Sequence, residues 1–559
     1  MSTVEVAQAL WLLLSAYGLA LSVSYAGMPV LGQGAFMAVG AYGTALLGPG
    51  GHGWPLPLAL LTCVVLAGIL GHVLALGASR LEGASLALAT WAFAWLVQRA
   101  LVAYPDAFGG ADGLTRPSPA HLRSTLLGLE VTLTPAVHVA VAGALCLLVI
   151  ALLLRLERGP AGLDLAALRE GPALASSLGV PVARRRRSVL GATAALGALS
   201  GAGATVLLGL VAPSDVSPLV SLQLLVAVLL GGTARWWGPV LGVAVLTALP
   251  SVADGLAGAT GLDAERSRGV LTAALLLAVL ALRAPVGRWL HRPGAAPGPL
   301  RDVHPVPPTD SRPVLLRAAG LSVSFGAVRA LDDAGIVLRG GEVHALIGPN
   351  GSGKSTLVKA LAGEFDTGIV DVAGILAPPG LTNRVRAGVV RTSQHTAVMP
   401  RLTADRQVAV GARGGSTEGW SVVRHLFATP RSRAHILDDA VARALEDVGL
   451  GHVVDADPER LTAGDQRLLQ VARAVATGAQ VLLLDEPAAG MTADERTRLA
   501  AVLRRLAGNG SAVLLVEHDM RLVGEVADEV TVLDQGRVLA TGSPEQVRAD
   551  PAVRRAYLG

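Results

Sequence analysis

The first half of the chain is a series of long apolar stretches separated by short polar breaks. Largely uncharged apolar segments recur at about residues 7–26, 30–47, 56–79, 85–103, 135–154, 188–211, 219–232, 239–252 and 270–290. Most contain the ~20 residues that a helix needs to cross a hydrocarbon core about 30 Å thick. The segments at 219–232 and 239–252 are short, which leaves broken or re-entrant segments open. This pattern predicts an all-α polytopic membrane domain with about nine spans.

The second half has a different pattern, in which short apolar runs stand in an ordinary soluble composition. Residues 343–347, 481–484 and 512–516 are short enough to be buried strands. Between the halves, residues 293–313 read PGAAPGPLRDVHPVPPTDSRP and have no hydrophobic period. Proline at that density makes an extended spacer of up to roughly 60 Å. We therefore predict a transmembrane domain at residues 1–292, a Pro-rich linker at 293–313 and an α/β domain at 314–559.

The composition supports this division into two halves. Hydrophobic residues make up 52% of the chain and charged residues 16%, and the mean hydropathy is +0.53, which does not fit a purely soluble protein. Residues 1–300 contain 17 arginines, no lysine and 12 acidic residues. The basic pI reflects arginines at membrane edges, so we expect no nucleic-acid binding. Cys63 and Cys146 lie in apolar runs, where buried thiols without a disulfide or metal are expected.

Arginine placement predicts the orientation of the membrane domain. With an outside N-terminus and nine spans, 12 of the 17 arginines fall in inner loops or at the inner end of the last span, as the positive-inside rule requires. This topology places a multi-pass protein in the cell membrane with its second half in the cytoplasm. The four consecutive arginines at 184–187 end an inner loop. We expect this run to anchor to the lipid surface rather than to bind nucleic acid.

The clearest chemical motif directly follows the apolar run 343–347. Residues 348–356, GPNGSGKST, fit the phosphate-loop pattern G-x-x-x-x-G-K-[ST] at every fixed position. The glycines allow successive N–H groups to point into one concavity that binds phosphate oxygens, and the following helix adds the positive end of its dipole. Lys354 is expected to reach the β- and γ-phosphates of ATP, and Ser355 to ligate Mg²⁺. The predicted ATP-binding residues of this loop are Gly348, Asn350, Gly351, Gly353, Lys354, Ser355 and Thr356.

Four stretches of the first half occur in an informative order. They are residues 32–42 (GQGAFMAVGAY), 109–114 (GGADGL), 231–242 and 283–287 (RAPVG). Together they resemble the membrane permease subunits of branched-chain amino acid ABC importers, over most of residues 10–290. The resemblance implies that residues 165–179, which have helical apolar spacing, form a coupling segment that docks on an ATPase and includes Arg169, Glu170 and Gly179. A helix lying on the membrane surface is the alternative.

The second half contains further polar residues in a fixed order around its strand-like runs. Gln394 comes first, Asp485 and Glu486 end one apolar run, and His518 follows another. With the phosphate loop, they resemble the motifs of ABC ATPases. The resemblance implies that Gln394 senses Mg²⁺ and the γ-phosphate and that Asp485 helps to hold the metal. It also implies that Glu486 polarises the attacking water as general base and that His518 positions the γ-phosphate. An aromatic that stacks on adenine is implied at Phe325.

Residues 461–466, LTAGDQ, stand where that family has L-S-G-G-Q. The resemblance implies that Leu461, Thr462 and Gly464 face the γ-phosphate of a nucleotide held by the opposite subunit. Asp465 departs from the pattern, and a carboxylate near a triphosphate costs Coulomb energy unless it is turned away or paired. Thr492 also departs, since an Asp is usual there. These departures predict a weakened site in trans, whereas the site on the chain's own Lys354 is expected to be intact.

Residues 422–430 and 542–559 resemble the ATPase subunits of the same importers. We therefore interpret the chain as a fused permease–ATPase subunit that couples ATP hydrolysis to import of branched-chain amino acids or similar small polar solutes, with ATP and Mg²⁺ as cofactors. The implied partners are a second permease subunit and a second ABC ATPase, or a second copy of the chain, with an extracytoplasmic solute-binding protein and membrane lipid. An importer of urea, amides or aromatic acids, an exporter half-transporter and an ATPase merely anchored to the membrane stay open.

Overall fold

The computed structural model describes residues 2–77, 81, 83–115, 123–126, 129–231, 236–248, 312–394, 398–400, 402–414 and 431–558. The chain divides into two compact units, of which the first comprises Met1–Leu165 and Ala183–Leu290 and the second comprises Ala166–Val182 and His291–Gly559. Nearly all of the predicted linker at 293–313 lies outside the described residues, as do the predicted span at 270–290 and the resembling stretches at 283–287 and 422–430. The domain boundaries therefore stay a prediction.

Regular structure in the described part of the first 248 residues is mainly helical. The helices are α1 (Thr3–Ala20), continued by a π-helical turn at Leu21–Tyr25, α2 (Gln33–Leu47), α3 (Leu56–Gly77), α4 (Ala84–Ala103), α5 (Pro105–Phe108), α6 (Pro135–Arg158), α7 (Pro160–Glu170), α8 (Pro172–Ser177), α9 (Val182–Leu208), α10 (Pro218–Leu230) and α11 (Gly238–Ala248). Strand β1 (Leu114–Thr115) pairs with β4 (Leu210–Val211), and β2 (Arg123–Leu126) pairs with β3 (Leu129–Thr132), both antiparallel.

Among the described residues, five helices are long and apolar enough to cross a membrane: α1 with its π-helical turn, α3, α4, α6 and α9. Helices α10 and α11 are apolar but shorter. Eight of the nine apolar segments seen in the sequence coincide with helices, and the ninth falls outside the described residues. An all-α membrane domain is therefore confirmed, whereas the count of nine spans stays a prediction.

Helix α9 packs closely against three other helices of its unit. A Cβ added to Gly40 of α2 would lie 1.8 Å from the carbonyl oxygen of Ala198, and one added to Gly71 of α3 would lie 2.6 Å from that of Leu190. Thr193 Oγ1 donates to a carbonyl oxygen of α1 at 2.9 Å. Small residues allow helix backbones to approach this closely, which is how helices associate where lipid removes the hydrophobic driving force.

The arginine run at the start of α9 is not a simple lipid anchor. Arg185 and Arg186 are only 5% and 6% exposed. The Arg185 guanidinium pairs with Asp164 of α7, and Arg186 Nη1 donates to the carbonyl oxygen of Leu81 at 3.2 Å. The prediction of a surface anchor is wrong for these two residues. Helix α9 begins at Val182, and its helical turn directs Arg185 and Arg186 into the protein while Arg184 stays exposed.

The described residues of the second unit form two β-sheets. Strands β5 (Val314–Phe325), β6 (Val328–Arg339), β8 (Ile369–Val372) and β9 (Ile375–Leu376) form an antiparallel sheet in the order β6-β5-β8-β9. The other sheet has the order β10-β11-β12-β7-β13-β14 and is parallel except for its last pair. Its strands are β7 (Glu342–Ile347), β10 (Val389–Arg391), β11 (Val481–Asp485), β12 (Ala512–Val516), β13 (Glu529–Asp534) and β14 (Arg537–Gly542).

Helices connect these strands and cover the parallel sheet. They are α12 (Lys354–Leu361), α13 (Leu381–Arg386), α14 (Ala404–Gly414), α15 (Arg431–Asp447), α16 (Ala463–Ala476), α17 (Ala493–Gly508), α18 (Met520–Val526), α19 (Pro544–Ala549) and α20 (Pro551–Leu558). Leu482 and Leu484 of β11 pack into a core with α15, α16 and α17, while Val481 and Leu483 pack into a core with α12 and the antiparallel sheet. Strand β11 is apolar at these four positions because both faces of the sheet are buried.

Candidate functional site

The parallel sheet brings the predicted site residues to one edge. Strands β7, β10, β11 and β12 run in the same direction, so their carboxyl ends meet. The phosphate loop follows β7, Gln394 follows β10, Glu486 follows β11 and His518 follows β12. Because the segments between these strands range from tens of residues to almost a hundred, only the sheet places these four groups side by side.

Two glycines of the phosphate loop are required by the close approach of other backbone. Gly348 has φ +152° and Gly353 has φ +104°. A Cβ at Gly348 would lie 2.1 Å from the carbonyl oxygen of Leu533, and one at Gly353 would lie 2.4 Å from that of Ala330. Helix α12 begins directly after the loop, at Lys354. The strand, loop and helix predicted from the sequence are therefore present in order.

The Lys354 ammonium lies inside this loop. Its Nζ donates to two loop carbonyl oxygens, of Gly348 at 2.8 Å and Pro349 at 2.9 Å. Burial lowers the pKa of Lys354, an effect that the nearby carboxylates of Glu486 and Asp485 partly offset. The loop thus holds a cation beside two carboxylates.

Glu486 is the residue on which the polar groups of the site converge. Gln394 Nε2 donates to Glu486 Oε2 at 3.3 Å, and His518 Nε2 lies 2.9 Å from Glu486 Oε1. Glu486 has φ +49°, a conformation that residues other than glycine rarely adopt, and its N–H donates to the carbonyl oxygen of Val516 at 3.0 Å. Strained backbone of this kind occurs disproportionately at functional sites. The three residues that the sequence grouped by order therefore form one hydrogen-bonded cluster.

Asp485 is buried and offers one free oxygen. Its Oδ2 is paired with Arg391 Nη2 at 3.2 Å, and Arg391 also pairs with Glu364. Asp485 Oδ1 is buried and has no hydrogen-bond partner among the described residues. With the hydroxyl of Ser355 it provides oxygen donors of the kind that Mg²⁺ prefers. The sequence reasoning missed Arg391, although a cation three residues before Gln394 was a visible signal.

Glu517 is a second residue whose contribution the sequence did not indicate. It is 5% exposed, and its two carboxylate oxygens accept from the N–H groups of Ala488, at 2.8 Å, and His518, at 3.3 Å. Burial raises the pKa of Glu517, although these two donors oppose the effect. The side chain ties the segment after β11 to the segment after β12. An acidic residue directly after an apolar strand was the signal that could have found it.

The remaining predicted nucleotide contacts are accessible. The Phe325 side chain is 53% exposed, and its ring meets that of Phe365 edge to face at 5.7 Å, which leaves ring surface open for stacking. Asn350, Gly351 and Ser355 are also exposed, and Thr356 is half-buried. An exposed large aromatic ring is consistent with a stacking contact to adenine, which stays a prediction.

The signature segment caps helix α16. Thr462 is the N-cap residue, and its Oγ1 accepts from the N–H of Asp465 at 3.1 Å. The Asp465 carboxylate pairs with Arg498 Nη1 at 3.1 Å, and its side chain is 6% exposed. The condition set for Asp465 in the sequence analysis, that it be turned away or paired, is therefore met. Repulsion between the Asp465 carboxylate and a triphosphate therefore no longer argues that the ATP site completed by this signature segment is weakened.

Glu495 connects the signature segment to the segment after Glu486. Its Oε1 accepts from the N–H of Gly464 at 3.3 Å, while its Oε2 accepts from the N–H of Thr492 at 2.9 Å. Thr492 in turn is the N-cap of α17 and accepts from the N–H of Glu495. Hydrogen bonds from the Thr492 backbone, the largest cause, lower the pKa of Glu495. Thr492 thus fills a capping position that an Asp would also suit. The sequence reasoning missed Glu495, although its spacing from Thr492 fits a capping box.

The predicted coupling segment packs within the second unit but is not one helix. Helix α7 ends at Glu170, next to Arg169, and α8 begins at Pro172, with Gly171 at φ +156° between them. Proline has no N–H to donate to the preceding turn and its ring clashes there, so the expected single helical segment at 165–179 is corrected to two helices. We call residues 166–182 the coupling loop.

Backbone contacts fix the end of the coupling loop against α13 and α14. A Cβ on Gly414 would lie 1.5 Å from the carbonyl oxygen of Leu178, and Gly179 has φ +85°. Thr382 Oγ1 donates to the carbonyl oxygen of Val180 at 3.3 Å. Leu178 and Val180 are buried. The alternative of a helix on the membrane surface does not fit a segment buried in this way.

The parallel sheet, its phosphate loop and the Gln394–Glu486–His518 cluster define an ABC ATPase, and apolar helices precede it in the same chain. Residues 5–280 match the family described as "Branched-chain amino acid transport system / permease component". Residues 331–489 match "ABC transporter", and residues 537–559 match "Branched-chain amino acid ATP-binding cassette transporter". The chain therefore belongs to the branched-chain amino acid ABC transporter family, with permease and ATPase fused, and it binds ATP and couples its hydrolysis to transport.

Curated relatives match the ATPase part of the chain. The high-affinity branched-chain amino acid transport ATP-binding protein LivG of Salmonella typhimurium is 37% identical over 252 residues, which are 44% of this chain and 98% of LivG. LivG of Escherichia coli K12 gives the same identity and coverage. The corresponding protein BraF of Pseudomonas aeruginosa is 36% identical over 257 residues, which are 44% of this chain and 99% of BraF.

Proposed function

We propose that this chain imports branched-chain amino acids, or similar small polar solutes, as the fused permease and ATPase subunit of an ABC importer. The observation that carries the proposal is the coupling loop, a segment between two apolar helices of the permease that is buried against α13 and α14 of the ATPase. The family descriptions and the printed function of LivG support the solute class.

In this proposal, each polar group of the ATP site has a role. Backbone N–H groups of residues 348–354 hold the phosphates, Lys354 neutralises the β- and γ-phosphate oxygens and Phe325 stacks on adenine. Glu486 accepts the proton of the attacking water. The hydrogen bonds from Gln394 and His518 orient that carboxylate, and His518 then stabilises the γ-phosphate.

The donor set fits Mg²⁺. Ser355 Oγ, the side-chain oxygen of Gln394 and the free, buried Asp485 Oδ1 are the oxygen ligands that we assign to it. When bound, Mg²⁺ would neutralise negative charge on the β- and γ-phosphate oxygens. Arg391 holds the other oxygen of Asp485 and so fixes the direction of the free one.

One chain supplies one of the two permease domains and one of the two ATPase domains of such an importer. A second ATPase, or a second copy of this one, completes the ATP site through its signature segment, while Leu461, Thr462 and Gly464 of this chain complete the partner's site. A second permease subunit and an extracytoplasmic solute-binding protein are the further partners. The membrane helices lie in the cell membrane, and the ATPase faces the cytoplasm.

Uptake by cells that lack their own branched-chain amino acid transport tests this proposal. The cells would carry the chain together with its candidate partner subunits, and uptake of radiolabelled leucine would be measured with isoleucine, valine, urea and phenylalanine as competitors. We expect isoleucine and valine to compete. Lys354→Ala and Glu486→Gln should each abolish uptake, the first by loss of phosphate binding and the second by loss of the general base.

Lys359→Ala is the matched control, because Lys359 is the chain's other lysine and lies half-buried on the same helix. We expect it to leave uptake within about twofold, as substitutions away from special sites usually do. Uptake that survives Lys354→Ala would contradict the proposal. Competition by urea alone or by phenylalanine alone would show that the solutes are amides or aromatic acids and not branched-chain amino acids. Efflux without a binding protein would favour an exporter.

A further inference from the structure

A buried ion pair lies where the coupling loop leaves and re-enters the first unit. Arg185 Nε donates to Asp164 Oδ2 at 2.8 Å, and Arg185 Nη2 lies 2.5 Å from the same oxygen. The two side chains are 6% and 3% exposed. Asp164 belongs to α7 and Arg185 to α9. The contact therefore ties α7, whose second half belongs to the coupling loop, to α9, which begins at the end of that loop.

The position of this pair along the chain is as informative as its burial. The first unit ends at Leu165, directly after Asp164, and resumes at Ala183, two residues before Arg185. The intervening residues 166–182 belong to the second unit and contact α13 and α14. Within the first unit, the ion pair thus joins the end at which the chain leaves for residues 166–182 to the end at which it returns.

Helix α9 is suited to carry a displacement away from this ion pair. It has 27 residues, and backbone-close contacts join it to α1, α2 and α3. Contacts without intervening side chains leave little room to absorb a shift, because packed interfaces are bistable rather than continuously deformable. We therefore expect a movement imposed on Arg185 to displace the helix as a unit.

Stability alone is a poor reason for burying these two charges. Desolvation offsets much of the attraction in a buried ion pair, and well-packed apolar residues often serve the fold equally well. What an ion pair adds is a directional link between two defined atoms. We propose that Asp164 and Arg185 form a positioning contact that transmits movement of the coupling loop to helix α9. This inference rests on the proposed function.

A distance measurement in the assembled transporter tests the inference. Spin labels would be placed at Leu208→Cys, at the end of α9, and Leu148→Cys, on α6, because both residues are exposed. The two native cysteines would be replaced, and the distance would be measured in lipid nanodiscs with and without ATP and Mg²⁺. The parent chain should show an ATP-dependent change that Lys354→Ala abolishes.

Asp164→Asn and Arg185→Gln should each remove most of this change while ATP binding persists. The ratio of leucine imported to ATP hydrolysed should fall roughly 5- to 150-fold, the usual range of a coupling between two sites. The exchanged pair, Asp164→Arg with Arg185→Asp, should recover much of both quantities because the contact is restored. Arg184→Gln is the matched control, since Arg184 is the exposed neighbour on the same helix.

Single variants that retain the full distance change would overturn the inference. So would an exchanged pair that folds and binds ATP but recovers nothing, because the residues would then be merely structural. Should the single variants fail to fold, Arg185→Lys decides: it keeps the charge but loses Nε, so unchanged coupling would contradict a directional contact. A parent chain that imports leucine without any ATP-dependent change in this distance would also overturn the inference, whereas a parent chain that shows neither import nor change would overturn the proposed function itself.

Discussion

Glu486 illustrates how much a single position depends on its surroundings. Its backbone adopts φ +49° directly after β11. The two carboxylate oxygens accept hydrogen bonds from Gln394 and His518. A left-handed conformation costs a residue other than glycine of the order of 1–3 kcal/mol. The buried strand β11 and the N–H bond to Val516 hold the backbone there. The sequence predicted the residue, whereas its geometry comes from the sheet.

His344, near the start of β7, provides a test of buried charge outside the phosphate loop. Its Nδ1 lies 3.4 Å from oxygens of both Glu342 and Glu529, and its Nε2 lies 2.8 Å from Thr531 Oγ1. Burial lowers the pKa of His344, but its contacts with the two carboxylates outweigh that effect and leave the pKa raised. A raised folded-state pKa contributes stability that is complete below the unfolded value of about 6.5 and is lost as the pH rises through the folded value.

We therefore expect His344→Gln to destabilise the ATPase unit most at acidic pH. The loss should be roughly 1–3 kcal/mol near pH 6, the usual cost of removing one partner of a buried hydrogen bond, and it should shrink towards pH 9. Thermal unfolding of the full chain in nanodiscs between these pH values measures it. His452→Gln is the control, because His452 is exposed in the same unit. A loss that is independent of pH would show that His344 is neutral when folded.

The coupling loop is the element that the sequence described least completely. Its apolar spacing predicted one helix, but Gly171 and Pro172 divide it, since proline ends a helical turn more strongly than periodicity extends it. Besides the Thr382 hydroxyl, the docking contacts include close approaches of backbone to backbone at Gly179 and Gly414. Side-chain periodicity carries no information on such contacts, so Gly414 was invisible before the fold was known.

Gly414→Ala should therefore uncouple the transporter. Its new Cβ would lie 1.5 Å from the Leu178 carbonyl oxygen, so the coupling loop must move away. We expect leucine uptake to fall at least about tenfold, corresponding to roughly 1.4 kcal/mol of coupling, while ATP binding persists. Gly524→Ala, on helix α18, is the control because its nearest neighbour would lie 3.7 Å away. Equal uptake by the two variants would contradict the docking contact.

The whole chain joins a membrane part, which is surrounded by lipid, to an ATPase part, which is surrounded by water. Arginine placement predicts which side of the membrane each exposed segment faces. Residue His52 is exposed between α2 and α3 and is predicted to lie outside, whereas Glu525 is exposed in the ATPase unit. In a chain with its native cysteines replaced, a membrane-impermeant maleimide should label His52→Cys in intact cells but Glu525→Cys only after permeabilisation. Labelling of Glu525→Cys in intact cells would reverse the predicted orientation.

By itself, the sequence determined the membrane and ATPase halves, the phosphate loop and the order of the catalytic motifs. These depend on local spacing and periodicity, which can be read along the chain. Tertiary structure alone decided the pairs Asp164–Arg185 and Asp465–Arg498, and the position of Glu517 against Ala488. Each joins residues separated by 21 to 33 positions. Which charges meet over such distances depends on how helices and strands pack, and packing turned Asp465 from an expected obstacle into a paired, buried carboxylate.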